Sequence, residues 1–99
     1  MQVTVNGTIT DINGANVTTT GTVKLNKAVA RYIDGSGSRI VDGSIKNFSV
    51  TAGVMSVVLE DTANMESGCY YIFTIAGQIY KKSVPAATPV NFWNLPDVV

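Results

Sequence analysis

Phe48-Ser49-Val50-Thr51-Ala52-Gly53-Val54-Met55-Ser56-Val57-Val58-Leu59 is the stretch on which the fold turns. Two runs rich in β-branched and apolar residues flank a Thr51-Ala52-Gly53 link, and Gly53 supplies the left-handed backbone position that a hairpin reversal demands. The link is too short for anything but a direct reversal, so the stretch predicts two antiparallel strands. No window of eleven or more residues elsewhere carries a helical stripe, whereas a period of two recurs nearly everywhere. Val and Thr, both abundant, fit a pleated surface better than a helix.

Downstream of the hairpin, Glu60 to Gly68 is polar and aperiodic, with room for one helical turn around Thr62 to Glu66. It leads into Cys69-Tyr70-Tyr71-Ile72-Phe73-Thr74-Ile75, the most β-prone segment. Alternation there sets Cys69, Tyr71, Phe73 and Ile75 on one face and Tyr70, Ile72 and Thr74 on the other. Ala76-Gly77 turns the chain into Gln78 to Val84, whose Lys81-Lys82 pair and following Pro85 suit an edge strand guarded against further pairing. Val90 to Leu95 alternates once more before Pro96.

Upstream, Val3, Val5, Gly7 and Ile9 share one face of a first strand, and Asn13-Gly14 marks a tight reversal. Gly21 to Leu25 resumes alternation with Val23 and Leu25 inward. Ala28 to Ile33 is a third strand, closed by Asp34-Gly35-Ser36-Gly37-Ser38, a run too Gly/Ser-rich for a regular element. Arg39 to Val41 and Ile45 to Val50 flank Asp42-Gly43 and read equally as one bulged strand or two short ones. The pattern predicts an all-β chain: one antiparallel β-sandwich domain over residues 1–99, with seven to eight short strands.

Composition narrows the function. The chain has 99 residues, and one core of this size leaves no room for a deep, multi-walled cleft. Seven basic and seven acidic residues cancel, so no field concentrates phosphates or anionic lipid and nucleic acid is not expected; the uninterrupted apolar stretches are far too short for a spanning helix, so membrane insertion is not expected either. With Cys69 alone no internal disulfide forms. The Gln2-Val3-Thr4-Val5 start lacks a secretory signal, so folding in a reducing cytoplasm is expected.

The vocabulary of catalysis is thin. There is no His for acid-base work or zinc binding, and a nucleophile would have to rely on Lys as its base. Cys69 opens an apolar strand and reads as an inert buried thiol. Adjacent Glu60 and Asp61 would point to opposite sides of a strand and read as a solvated hairpin end. The Asp34 to Ser38 run with Asp42 lacks the alternating carboxylates and terminal Glu of a calcium loop, and no lysine or helix follows it to make a phosphate loop. No catalytic residue, metal or cofactor is expected.

What remains is surface. Tyr71, Phe73 and Phe48 fit the core, while Tyr70 and Trp93 sit on the opposite parity from their core-facing neighbours. Interface candidates are therefore Tyr70, Tyr80, Phe92, Trp93 and Leu95. Phe92 to Val99 carries more apolar groups than a free tail needs and is expected to dock on the sandwich or on a neighbouring subunit.

Val5-Asn6-Gly7-Thr8-Ile9-Thr10-Asp11-Ile12-Asn13-Gly14 followed by Gly21-Thr22-Val23-Lys24-Leu25 resembles the opening of immunoglobulin-like and fibronectin-III-like modules of tailed-bacteriophage virion proteins, an opening shared with carboxypeptidase regulatory-type domains. The later order is similar too: Gly53 in a hairpin, a strand through Leu59, a polar link, Tyr70 to Ile75, Lys81-Lys82-Ser83-Val84-Pro85 and the closing Val90 to Leu95. The resemblance implies an immunoglobulin-like sandwich with no catalytic or ligand motif. It implies a non-enzymatic virion structural protein, assembled in the host bacterial cytoplasm.

The first expectation from that likeness is a capsid decoration protein that binds the assembled lattice through the major capsid protein or other virion subunits. A single short domain favours such an accessory over a long fibre; a tail, fibre or receptor-binding accessory is the second expectation. Self-association into a homo-oligomer fits either. From another class comes a carbohydrate-binding module, stacking a host surface glycan on Trp93 and one or more tyrosines.

Overall fold

The computed structural model describes residues 1–35 and 37–98; Ser36 of the Gly/Ser-rich run and Val99 of the C-terminal segment lie outside the described residues. The strands are β1 (Gln2–Thr8), β2 (Thr19–Leu25), β3 (Val29–Asp34), β4 (Gly37–Asp42), β5 (Lys46–Thr51), β6 (Val54–Glu60), β7 (Tyr71–Ile75), β8 (Gln78–Lys82) and β9 (Val90–Asn91). A single 3-10 turn, Phe92–Asn94, follows β9. The expected all-β sandwich is observed. The described strands number nine because Arg39 to Val50 resolves into β4 and β5 and because β9 is a two-residue piece.

Seven strands hydrogen-bond in the order β8-β7-β2-β5-β6-β1-β9. All neighbours are antiparallel except β1 and β9, which run parallel with Val5 beside Val90 and Asn6 beside Asn91. The sheet doubles over at the β5–β6 hairpin, where only Val50–Met55 and Thr51–Val54 pair. One layer is then β8-β7-β2-β5 and the other β6-β1-β9. Alternation does the rest: Val3, Val5, Val23, Leu25, Phe48, Val50, Met55, Val57, Leu59, Tyr71, Phe73 and Ile75 all turn into one core. Each such side chain contributes about 1.5–3 kcal/mol through burial.

Rings join the layers. Phe73 on β7 meets Phe92, beside β9, edge-to-face at 4.9 Å, although these elements lie near opposite ends of the strand order. Phe48 covers Gly21 on the neighbouring strand so closely that a Cβ there would lie 2.4 Å from its ring. A glycine inside β2 therefore makes room for an aromatic.

The β5–β6 and β7–β8 hairpins use the same device. Ala52-Gly53 and Ala76-Gly77 each place two consecutive residues at positive φ, 49° and 80° in the first, 51° and 79° in the second. These are two-residue reversals of the primed kind, which match the twist of the flanking strands. The Thr51 of the expected three-residue link belongs to β5.

Three local expectations are corrected. Beyond Glu60, which ends β6, the link makes turns, and Thr62 to Glu66 forms no helical turn, because Met65 bridges to Tyr32 and the Ile33 N–H donates to Asn64 O. Val90 to Leu95 makes only two strand residues before its 3-10 turn, capped by Asn91 Oδ1 accepting from the Trp93 N–H. Lys82 is not a solvent-facing guard: it is 5% exposed, donating to Asp97 Oδ1 at 2.6 Å and Leu95 O at 3.3 Å. The chain's own Pro96 to Val98 lies along β8, with Ser83 N donating to Pro96 O and Val98 N to Lys81 O, so that edge is closed internally.

β3 and β4 stand apart as a two-stranded ribbon. Ala30 and Tyr32 dock its inner face on the sandwich; Gly43 ends it, since any Cβ there would lie 2.1 Å from Lys27 O. Gly37 and Ser38, expected in the loop tip, belong to β4.

Candidate functional site

The structure gathers Tyr80, Phe92, Trp93 and Leu95, four of the five predicted interface residues, around the 3-10 turn and places Tyr70 elsewhere. Phe92 (0% exposed) and Leu95 are core residues, so their apolar surface is used inside the subunit rather than offered to a partner. Tyr80 is half-buried, edge-on to both Phe92 at 5.4 Å and Trp93 at 5.6 Å. Trp93 is 46% exposed, with its Nε1–H donating to Thr8 O at 3.0 Å. Tyr70 belongs to a different neighbourhood, its backbone N–H and C=O bracketed by the side chain and backbone of Asn26. The C-terminal segment, as far as Val98, docks on its own sandwich.

The largest departure from the sequence reading is Asp61, expected at a solvated hairpin end and found completely buried. Its Oδ1 accepts from the Met1 ammonium at 2.6 Å and from the Tyr32 hydroxyl, which in turn accepts from that ammonium. Its Oδ2 accepts from the backbone and side-chain amides of Asn64 at 3.0 and 2.9 Å. Burial pushes the Asp61 carboxyl upward, but these donors outweigh it and hold the group below the usual carboxylate range. The Met1 ammonium is raised to about 11, chiefly by its bond to Asp61 and then by Tyr32, against burial. Position in the chain hides this: Met1 lies 60 residues and Tyr32 29 residues away from Asp61.

Glu60 extends the cluster. Its Oε2 lies 3.3 Å from the Met1 ammonium and 3.1 Å from Arg39 Nη2, while no aligned hydrogen bond reaches that atom, so the contacts are ionic. The Arg39 guanidinium stacks 4.1 Å above the Tyr32 ring, opposite its cross-strand partner on the ribbon. The result is a polar node pinning β3 and β4 to the end of β6. Both Asp61 oxygens take their donors from Met1, Tyr32 and Asn64, so among the described residues this carboxylate is committed to holding the structure together.

Cys69 is half-buried and burial pushes its thiol above the usual range, so it stays protonated at neutral pH. A cavity of about 230 Å³ opens where β5 and β6 splay apart, walled by Lys24, Lys46, Glu60 and Tyr71. It is smaller than ordinary ligand sites, and Lys46 already donates to Val58 O at 2.8 Å across the gap.

Sequence reasoning missed the outer face of the ribbon. Val29, Ile33 and Ile40 are 54%, 50% and 66% exposed. They share one face, since Val29 and Ile33 alternate along β3 and Ile40 lies across from Arg31. The signal was present as alternation in Ala28 to Ile33; what the sequence withheld is which parity faces the body. Comparison with protein-family models gives no match for this sequence, and comparison with curated proteins gives none either.

Proposed function

We propose that this chain is a non-enzymatic structural module of a tailed-bacteriophage particle, first of all a capsid decoration protein that adheres to the assembled lattice. The observation that supports the reading best is the ribbon: Val29 and Ile33, on either side of Arg31, and Ile40 across from it are exposed on one face of an element whose other face docks on the body through Ala30 and Tyr32. Apolar groups presented in this way serve contact with another surface. The resemblance of the sequence to virion sandwich modules supplies the particle. The immunoglobulin-like kinship is part of the same proposal.

Adhesion of this kind needs no chemistry from the module. Each copy stabilises the assembly by binding only the assembled state, and the gain follows from mass action. The test is co-sedimentation of purified protein with mature heads, with tails and with disassembled subunits. Binding to heads alone is the expected result; binding to tails alone moves the module to the tail, and binding to neither defeats the reading. The carbohydrate alternative is less well supported, because Tyr80 and Trp93 meet at 87° and do not form a shared flat platform for a sugar ring.

A further inference from the structure

β4 is open on one side. β3 has β4 along one edge and Asn64 to Glu66 along the other, and the outer edge of β8 is covered by Pro96 to Val98, but among the described residues β4 has β3 as its sole strand neighbour.

Backbone pairing dictates which β4 groups face that open side. The Ile33 N–H donates to Asn64 O and Arg31 O accepts from the Glu66 N–H, both at 2.9 Å, so Arg31 and Ile33 turn their backbone groups away from β4. Their partners across the ribbon are Ile40 and Ser38. In an antiparallel ladder such residues form the non-hydrogen-bonded pairs, so Ser38 and Ile40 aim N–H and C=O outward, and Asp42 follows two residues on. This is a short row of directional donors and acceptors with an exposed Ile40 side chain at its centre.

We propose that β4 pairs with β4 of a second copy of this chain, antiparallel about a two-fold axis at Ile40, to form a continuous β3-β4-β4-β3 sheet. Outward-facing residues must oppose outward-facing residues, which restricts self-pairing to alternate registers. Centred on Ile40, the register sets Ile40 on Ile40, Ser38 opposite Asp42 and Arg39 opposite Val41, with no like charges opposed. One step in one direction would place Arg39 directly opposite Arg39. One step in the other would set Ile40 against the Asp42 carboxylate. Both neighbours are penalised and the central register is not. The formal net charge of zero adds no long-range repulsion between copies. On the same face Arg31 of each ribbon flanks the Ile40 pair, with Val29 and Ile33 on either side of it along β3. This isologous contact stands independently of any particle.

The experiment is sedimentation analysis of the full chain together with a cysteine cross-link. Wild-type protein is expected to dimerise with a dissociation constant on the order of 10 μM. Ile40→Pro removes an N–H that the ribbon does not use, so the chain keeps its strand signature by circular dichroism while dimerisation weakens about tenfold or more. In a Cys69→Ser background, Ile40→Cys is expected to form a disulfide-linked homodimer on mild oxidation, since facing Cα atoms of a hydrogen-bonded pair lie about 5.5 Å apart, within disulfide reach. Ser38→Cys in the same background is not. A wild-type monomer at about 100 μM, or a dimer indifferent to Ile40→Pro, overturns the proposal. A monomer whose particle binding disappears in Ile40→Pro also overturns it, assigning the edge to a foreign strand.

Discussion

The sandwich body and the β3–β4 ribbon are built from the same kind of strand but held by different physics. In the body, side chains of alternate parity from both layers meet in one apolar core, and the ends of the strand order are sewn together by Phe73, Phe92 and the Pro96 to Val98 strap. In the ribbon, Ala30 and Tyr32 are the buried apolar groups, and attachment depends on hydrogen bonds and charge at Asp61, Glu60 and Arg39. Apolar packing tolerates substitution of similar volume, whereas a buried carboxylate with four donors tolerates almost nothing. A two-stranded ribbon is barely stable alone, so the polar node decides whether its outer face is presented at all.

The difference is exposed most sharply by substitutions in each region. Phe73→Ala empties the junction of Phe48, Tyr71 and Phe92 and is expected to cost about 3–5 kcal/mol, lowering the thermal midpoint of the entire molecule. Asp61→Ala strands the Tyr32 hydroxyl and the Asn64 amides; a loss of about 3 kcal/mol is expected, read by denaturant unfolding, with the ribbon released first. Lys82→Ala removes the bonds to Leu95 O and Asp97 and the packing over Phe92, and should cost about 1–2 kcal/mol, seen as faster exchange of the Val98 amide.

Acid separates the regions without a mutation. The folded Asp61 carboxyl lies below its ordinary range, so its contribution to stability is complete above about pH 4 and is lost as pH falls through the lowered value. Fluorescence or nuclear magnetic resonance signals of Tyr32 are expected to change below pH 4, while those of Phe73 and Phe92 persist. The smallest effect runs the other way. Ala52→Asn and Ala76→Asn replace alanines at φ 49° and 51° by a residue that accepts the left-handed region, and each should add about 0.5–1 kcal/mol in chemical denaturation.

Much of the body was legible in the sequence, because a half-buried strand advertises itself by alternation and a tight hairpin by its glycine. Val3 and Val5, Val23 and Leu25, Tyr71 and Phe73 all turn inward as their parity implies. The ribbon's attachment was not legible. Glu60 and Asp61 look like any exposed acidic pair, and only the fold brings Met1, Tyr32 and Arg39 to them. Lys82 misled for the same reason: a lysine at a strand end reads as an edge guard until the chain's own terminus covers it. Among the interface residues, parity separated Trp93 from Phe92 and the core correctly, but Leu95 shares the parity of Trp93 and is buried all the same, because the 3-10 turn over Phe92–Asn94 breaks the period of two.

Residue-resolved hydrogen exchange on Asp61→Asn beside the wild type probes the division between packed body and polar-pinned ribbon most directly. The amides of Ala30, Tyr32, Arg39 and Val41, which face one another across the ribbon, are expected to lose protection by an order of magnitude or more while those of Val5, Val23, Val57 and Phe73 hold theirs. Equal loss in both sets would mean that body and ribbon form one cooperative unit, and would contradict the division drawn between them.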